Sequence, residues 1–347
     1  MKLSKLIFAL LVLIFPYNLY CSSVLIDDAE TPKYRVVLSI DGGGIRGIIP
    51  ATILNHIEKQ IGANVGTKLD MVGGSSTGGI LALASVFTGD SVDRQPICGM
   101  GNIVNFYKAD GPKIFNYSWT NCLSSLFGYG YHKYNAGILE NTYANYFGKA
   151  PLSSLCRPAV VTGFDTNKER TIKLKSYHPD SSISIVDALM ATTAAPSYFP
   201  TRVIGNLNIA DGGICMPNPT MEIIAQAKKV YNIDDLKNIR VISLGTGYYD
   251  KNNANNTPIK SGLLGWIGLP GPMMSSLPYV VHAQAEKFMT FDDEQTRYIR
   301  LDPALPEPIE LDNASEFNIL RLQLIAESYI KENKGLIDQV CQILKER

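Results

Sequence analysis

The chain has 347 residues, 46% of them hydrophobic, which is enough to build a sizeable core. Its 32 basic and 32 acidic residues give a formal net charge of zero. This balance argues against nucleic acid as a partner, because nucleic-acid binding calls for a basic stripe.

The first 23 residues have the pattern of a secretory signal peptide. Lys2 and Lys5 precede an apolar run over residues 6–15, and the small residues Ser22 and Ser23 close the polar stretch that follows. This run is short for a membrane span, which needs about 20 residues. We therefore expect cleavage and export to the extracellular space, an endomembrane lumen or the periplasm, with a retained N-terminal anchor as the alternative.

Short apolar runs and helical patterns alternate along the first half of the chain. Residues 34–40 and 69–72 are typical of buried strands, and residues 48–61 and 78–87 are typical of the helices that follow them. Residues 88–150 are less periodic and indicate an irregular insertion with short helices.

The second half continues this alternation. Its predicted elements are a hairpin over residues 159–165 and 171–176, helices over 185–193 and 219–231, a strand leading into Asp211, a strand over 241–244 and C-terminal helices over 315–345. Strands alternating with helices predict an α/β sandwich around a mostly parallel sheet. Because no linker divides the chain, residues 24–347 are predicted to form a single domain.

The first glycine-rich turn is Asp41-Gly-Gly-Gly-Ile-Arg-Gly47. It fits the G-x-G-x-x-G pattern of dinucleotide-binding loops, but the next strand lacks the acidic residue that such a site needs at its end. A P-loop is excluded because no Gly-Lys-Ser/Thr follows. Unpaired amides at a helix N-terminus suit an anion, including a tetrahedral oxyanion. A nucleotide site stays open as an alternative.

The second turn is Gly74-Ser-Ser-Thr-Gly78, which centres on Ser76. Glycines two positions before and after the serine allow the sharp strand-to-helix elbow that exposes a nucleophile. Ser75 is out of register, because Thr77 would then stand where the second glycine belongs. The alternative is an ordinary Gly/Ser loop.

A hydroxyl nucleophile needs a base, and two arrangements are open. The chain order Ser76, Asp211, His282 matches the order of an α/β-hydrolase triad. Asp211 precedes Gly212 and Gly213, so no neighbouring side chain blocks it, and its carboxylate can also act as the base directly. The cysteine spacing shows no zinc pattern.

Four motifs together resemble the patatin-like phospholipases: Asp41-Gly-Gly-Gly-Ile-Arg-Gly47, Gly74-Ser-Ser-Thr-Gly-Gly79, Ala191-Thr-Thr-Ala-Ala-Pro196 and Asp211-Gly-Gly213. Ser243-Leu-Gly-Thr-Gly247 resembles a fifth landmark, and the resemblance covers about residues 34–300. It implies a three-layer α/β/α sandwich and a Ser76–Asp211 dyad without histidine.

The resemblance also implies which residues surround the dyad. Gly42, Gly43 and Gly44 would supply the oxyanion-hole amides, and Arg46 would hold the loop or meet a phosphate. No metal or cofactor is implied. Gly74, Gly78 and Gly212 would support the turns.

The expected activity is that of a lipid acyl hydrolase of phospholipase A type with broad specificity, acting on membrane or micellar lipid. The alternatives are a general carboxylesterase or acyltransferase, and a storage or toxin-like protein in which the site is incidental. The apolar segment over residues 263–277 is either core or a lipid-facing lip, which would allow peripheral membrane contact. Its two prolines are expected to break any long helix there.

Overall fold

A computed structural model describes residues 33–89, 93–116, 132–177, 181–249, 270–293 and 295–347, with residues 270–275 described by their backbone alone. Residues 34–347 form one compact unit. The predicted signal peptide and residues 263–269 of the apolar segment over residues 263–277 lie outside the described residues, so cleavage and a lipid-facing lip stay predictions.

The described part of the chain contains an eight-stranded sheet. Its strands are β1 (Arg35–Ile40), β2 (Met71–Gly74), β3 (Ala159–Asp165), β4 (Arg170–Lys175), β5 (Arg202–Ile204), β6 (Leu207–Asp211), β7 (Ile239–Leu244) and β8 (Tyr298–Leu301). Their order is β5-β6-β3-β2-β1-β7-β8, with β4 also paired to β3. Five neighbouring strands are parallel, namely β3, β2, β1, β7 and β8. The other three strands join through antiparallel pairs: β4 and β6 with β3, and β5 with β6. The predicted mostly parallel sheet and the β3–β4 hairpin are confirmed.

Helices pack on both faces of this sheet. They are α1 (Ile48–Ile61), α2 (Thr77–Ser85), α3 (Met100–Ala109), α4 (Gly111–Ile114), α5 (Ala136–Phe147), α6 (Ile185–Thr192), α7 (Thr220–Val230), α8 (Pro270–Met289), α9 (Glu316–Glu332) and α10 (Lys334–Lys345). Side chains alternate between the faces along β1, because successive strand residues point in opposite directions. Val36 and Leu38 pack into the larger core cluster, and Val37 packs into a second one that also contains Ile223 of α7. The three-layer sandwich is confirmed.

Pro270 and Pro272, the two prolines of residues 263–277, were expected to break any long helix there, and this was wrong because a long helix begins at Pro270. Helix α8 has 20 residues and continues through Pro278. Pro272 lies in its first turn, where a missing N–H costs little. Beyond Pro278, the buried side chains of Ala285 and Met289 pack into the second core cluster. Tertiary packing therefore sustains the helix despite the interior proline.

None of the described helices is both long enough and hydrophobic enough to cross a bilayer.

Candidate active site

Strand β3 brings the two candidate catalytic residues together. Because β4 pairs along nearly the whole of one edge of β3, β2 and β6 share the opposite edge. β2 runs parallel to β3 and places Gly74 opposite Val161, whereas β6 runs antiparallel and places Asp211 opposite Gly163. The two strands therefore point at each other, and their C-terminal ends almost meet.

Ser76 and Asp211 are joined directly at this meeting point. The Ser76 hydroxyl donates to Oδ2 of Asp211 over 2.6 Å, and the Gly213 N–H donates to Oδ1 over 2.6 Å. Asp211 is 4% exposed, and its burial raises the pKa from 3.8 to about 6 although both hydrogen bonds oppose the shift. Gly212 packs so closely on Thr162 that any side chain there would collide with it. Because its pKa is raised, the Asp211 carboxylate is more basic than that of an ordinary aspartate.

Ser76 occupies the elbow between β2 and α2. Its backbone has φ 52° and ψ −124°, a conformation that a residue with a side chain rarely adopts. A side chain on Gly78 would collide with the carbonyl oxygen of Ile40, and one on Gly74 would collide with the backbone of Gly78. Both glycines lie where the predicted elbow needs them.

The glycine loop offers two backbone amides rather than three. Among the described residues, the N–H groups of Gly43 and Gly44 have no acceptor. The Gly42 N–H donates to the carbonyl of Pro217 over 2.8 Å, so the expectation that it would also serve an oxyanion needs correction. The sequence could not show this bond, because Pro217 belongs to the distant segment that follows the candidate base.

Contacts on several sides fix the shape of this loop. The Thr246 hydroxyl donates to the Gly42 carbonyl over 2.8 Å, and the Ile45 N–H donates to the Leu311 carbonyl over 2.8 Å. Gly44 has φ +57°, which glycine adopts without strain. The free amides are therefore held in place before any ligand binds.

Arg46 follows the loop and lines the same cavity as Ser76. Its Nε is buried and has no hydrogen-bond partner among the described residues. Burial lowers the pKa of Arg46, and the charges of Asp302 and Glu310 oppose that effect. A guanidinium stays protonated in proteins. Arg46 is therefore a cation available to an anionic group of a ligand.

A cavity of about 1180 Å³ surrounds the dyad. One set of lining residues is apolar or aromatic: Ile80, Phe106, Ile114, Phe115, Leu139, Tyr143 and Phe199. Another set is charged or polar: Arg46, His282, Glu286, Arg300, Asp302 and Glu310. This volume exceeds the roughly 300–1,000 Å³ of ordinary small-molecule pockets.

His282 lines the cavity but does not complete a triad. Its Nδ1 lies 3.0 Å from the Tyr298 hydroxyl, whereas the Ser76 hydroxyl donates its hydrogen bond directly to Asp211. Burial and the nearby Arg300 lower the pKa of the imidazole. Among the described residues, no His, Cys, Asp and Glu side chains are grouped as metal ligands.

Comparison with known proteins assigns the chain to a family. The family model described as patatin-like phospholipase matches residues 38–224, more than half of the chain. The chain belongs to the patatin-like phospholipase family. Membership assigns the class of chemistry, which is hydrolysis of lipid substrates.

Individual relatives are similar over most of their length. Patatin-T5 from Solanum tuberosum is 29% identical over 86% of this chain and 84% of its own, and Patatin-15 from the same plant is 28% identical over 88% and 86%. The solved structure of human GIVD cytosolic phospholipase A2 aligns with a TM-score of 0.48 at 9% identity, over 90% of this chain and 61% of that one.

In this patatin-like chain a buried ion-pair network holds the start of the glycine loop. Arg300 lies 2.6 Å from Oδ2 of Asp41 and 2.7 Å from Oδ2 of Asp302, and it donates to the Ser243 hydroxyl over 2.8 Å. Asp302 in turn accepts the Gly247 N–H over 2.9 Å. The sequence reasoning missed Arg300, although a lone charge within the short strand β8 is a signal that could have marked it.

Asp211 is expected to set the acidic limb of the pH profile. A protonated carboxyl cannot accept the Ser76 proton, so kcat/KM for a soluble ester should fall about tenfold per pH unit below about pH 6. Steady-state assays from pH 4 to 8 measure this limb. His282→Ala should leave it in place, and an inflection near pH 4 would contradict the raised pKa.

Removing Arg300 is expected to destabilise the fold strongly. Arg300→Met leaves the buried Asp41 carboxylate and the partly buried Asp302 carboxylate without their partner and should lower the free energy of unfolding by about 3–5 kcal/mol. The matched control is Arg321→Met, which breaks an exposed pair with Glu307 and should cost less than about 1 kcal/mol. Urea unfolding compares them, and equal losses would refute the role of the network.

Proposed function

We propose that the protein is a serine-dependent lipid acyl hydrolase that cleaves fatty-acyl esters of glycerolipids, in the manner of a broad phospholipase A, after export through its first 23 residues. The observation that carries this proposal is the direct bond between Ser76 and the buried Asp211 in a large cavity. Family membership supports the lipid substrate.

In the first half of the reaction, Ser76 is the nucleophile. As its oxygen attacks the ester carbonyl, Asp211 accepts the hydroxyl proton at Oδ2. The carbonyl oxygen becomes an oxyanion that accepts hydrogen bonds from the Gly43 and Gly44 amides. Asp211 then returns its proton to the leaving alcohol, and the acyl group remains on Ser76 as an ester.

The second half uses the same groups with water as the nucleophile. Asp211 takes a proton from water as the water oxygen attacks the acyl carbonyl. The same amides stabilise the second oxyanion. Collapse of this intermediate breaks the bond to Ser76, and the proton held by Asp211 passes back to the serine oxygen.

The cavity lining suits the two chemically different parts of a glycerolipid. The apolar set, in which Phe106 stacks on Tyr143 and Phe115 packs against Phe199, suits a fatty-acyl chain. Arg46, with its unpartnered Nε, suits the phosphate of a phospholipid.

A row of apolar side chains on α9 supports contact with a lipid surface. Phe317, Leu320 and Leu324 are 77%, 53% and 55% exposed, and their spacing places them on one face of the helix. The helix begins shortly after Leu311, which lines the cavity and is itself 38% exposed. An exposed apolar row on the helix that follows this cavity-lining residue suits docking on the lipid aggregate that supplies the substrate.

Variants of the dyad test the proposed chemistry. Ser76→Ala and Asp211→Asn should each lower hydrolysis of phospholipid vesicles and of a soluble ester by about 10⁴-fold or more, because both act in one catalytic unit. A fluorophosphonate probe should label Ser76 in the wild-type protein. His282→Ala should keep most of the activity, and its complete inactivation with an intact fold would replace the dyad by the triad.

Variants of α9 test the lipid surface. The triple variant F317S/L320S/L324S should lower hydrolysis of vesicles about tenfold or more and leave a soluble ester unaffected, because only vesicles require apolar contact. The matched control is Val203→Ser on β5, where Val203 is 67% exposed and is not among the cavity-lining residues. Equal losses on both substrates would contradict the docking role.

A further inference from the structure

The end of helix α6 contacts both members of the proposed dyad. The Thr192 hydroxyl oxygen accepts the Ser76 N–H over 3.0 Å, and the Ala194 carbonyl accepts the Asp211 N–H over 2.9 Å. Thr192 is fully buried and Ala194 is 1% exposed. One short segment thus holds the backbones of the nucleophile and of its base, which are 135 positions apart in sequence.

We propose that Thr192 is a positioning residue, whose hydroxyl holds Ser76 in its reactive backbone conformation. The inference rests on the proposed function, because it assigns how the Ser76–Asp211 geometry of that site is maintained. Thr192 is not among the residues that line the cavity, so it is assigned to act through the nucleophile alone.

The hydrogen bond from the Ser76 N–H opposes the strain in the Ser76 backbone. A residue with a side chain at φ 52° and ψ −124° is strained. The free energy lost when a buried N–H has no acceptor is comparable with that strain. Without the Thr192 hydroxyl, relaxed conformations of Ser76 would therefore compete with the reactive one. A displacement of about 1 Å at a reacting group can lower the rate about 10²-fold.

The anchor is itself rigid. Ser184 caps the N-terminus of helix α6, and its hydroxyl accepts the Asp187 N–H over 2.9 Å. At its other end the Thr193 hydroxyl donates to the Leu189 carbonyl over 2.7 Å and accepts from Tyr143 over 3.3 Å. A hydroxyl fixed on this buried helix end can hold a strained backbone in place.

The two branches of the Thr192 side chain have separable roles. A side chain on Gly79 would lie 2.9 Å from the Thr192 methyl group, so this methyl packs against α2, while the hydroxyl faces Ser76. Thr192→Val keeps the shape and removes the acceptor, and Thr192→Ser keeps the acceptor and removes the methyl. The pair therefore separates hydrogen bonding from packing.

The test compares these variants on a soluble ester and with a fluorophosphonate probe. Thr192→Val should lower kcat about 10²-fold with KM unchanged and should slow probe labelling of Ser76 by the same factor. Thr192→Ser should stay within threefold of the wild type (about 0.65 kcal/mol by RT ln 3). Thr192→Ala serves as a second variant without the acceptor, in case valine prevents folding.

Thr52→Val is the control for loss of a buried threonine hydroxyl, since Thr52 donates only within α1, to the Ile48 carbonyl. It should lower the melting temperature as Thr192→Val does and leave kcat unchanged. Wild-type kcat in Thr192→Val or Thr192→Ala, or equal losses in Thr192→Ser and Thr192→Val, would overturn the inference. A wild-type protein that the probe does not label would instead overturn the proposed function.

Discussion

The site depends on two strands that run head to head along one edge of β3. Because β2 and β6 end almost opposite each other, the turn after each strand delivers its side chain to the same point, and Ser76 lies 2.6 Å from Asp211. A strand rises about 3.3 Å per residue, so a slip of two residues would separate the pair by more than a hydrogen bond can span. The register of β3 therefore determines whether the dyad forms.

Contacts from neighbouring elements hold the glycine loop next to this pair. The glycine loop presents its amides because Thr246, Leu311 and Pro217 hold its backbone. The ion pair between Asp41 and Arg300 joins the start of that loop to β8. Backbone hydrogen bonds and one buried ion pair from neighbouring elements thus hold the loop that faces the proposed nucleophile.

Local chemistry explains how much of this the sequence predicted. The two glycine turns, the helix over residues 48–61 and the β3–β4 hairpin follow from short patterns, and the structure confirms them. The pairing of Asp41 with Arg300 joins positions 259 apart, and no local pattern encodes it. The same holds for the Gly42 amide, which donates to Pro217, and for α8, where packing sustains a long helix although prolines were expected to break it.

The backbone of Ser76 also relates stability to function. Glycine would adopt φ 52° without penalty, whereas serine there is strained by about 1–3 kcal/mol. Exchanging this serine for glycine in a descendant without the proposed activity would release that strain and remove the hydrogen bond to Asp211. The proposed nucleophile is thus also a strained position of the fold, and selection for its hydroxyl, not its backbone conformation, favours serine there.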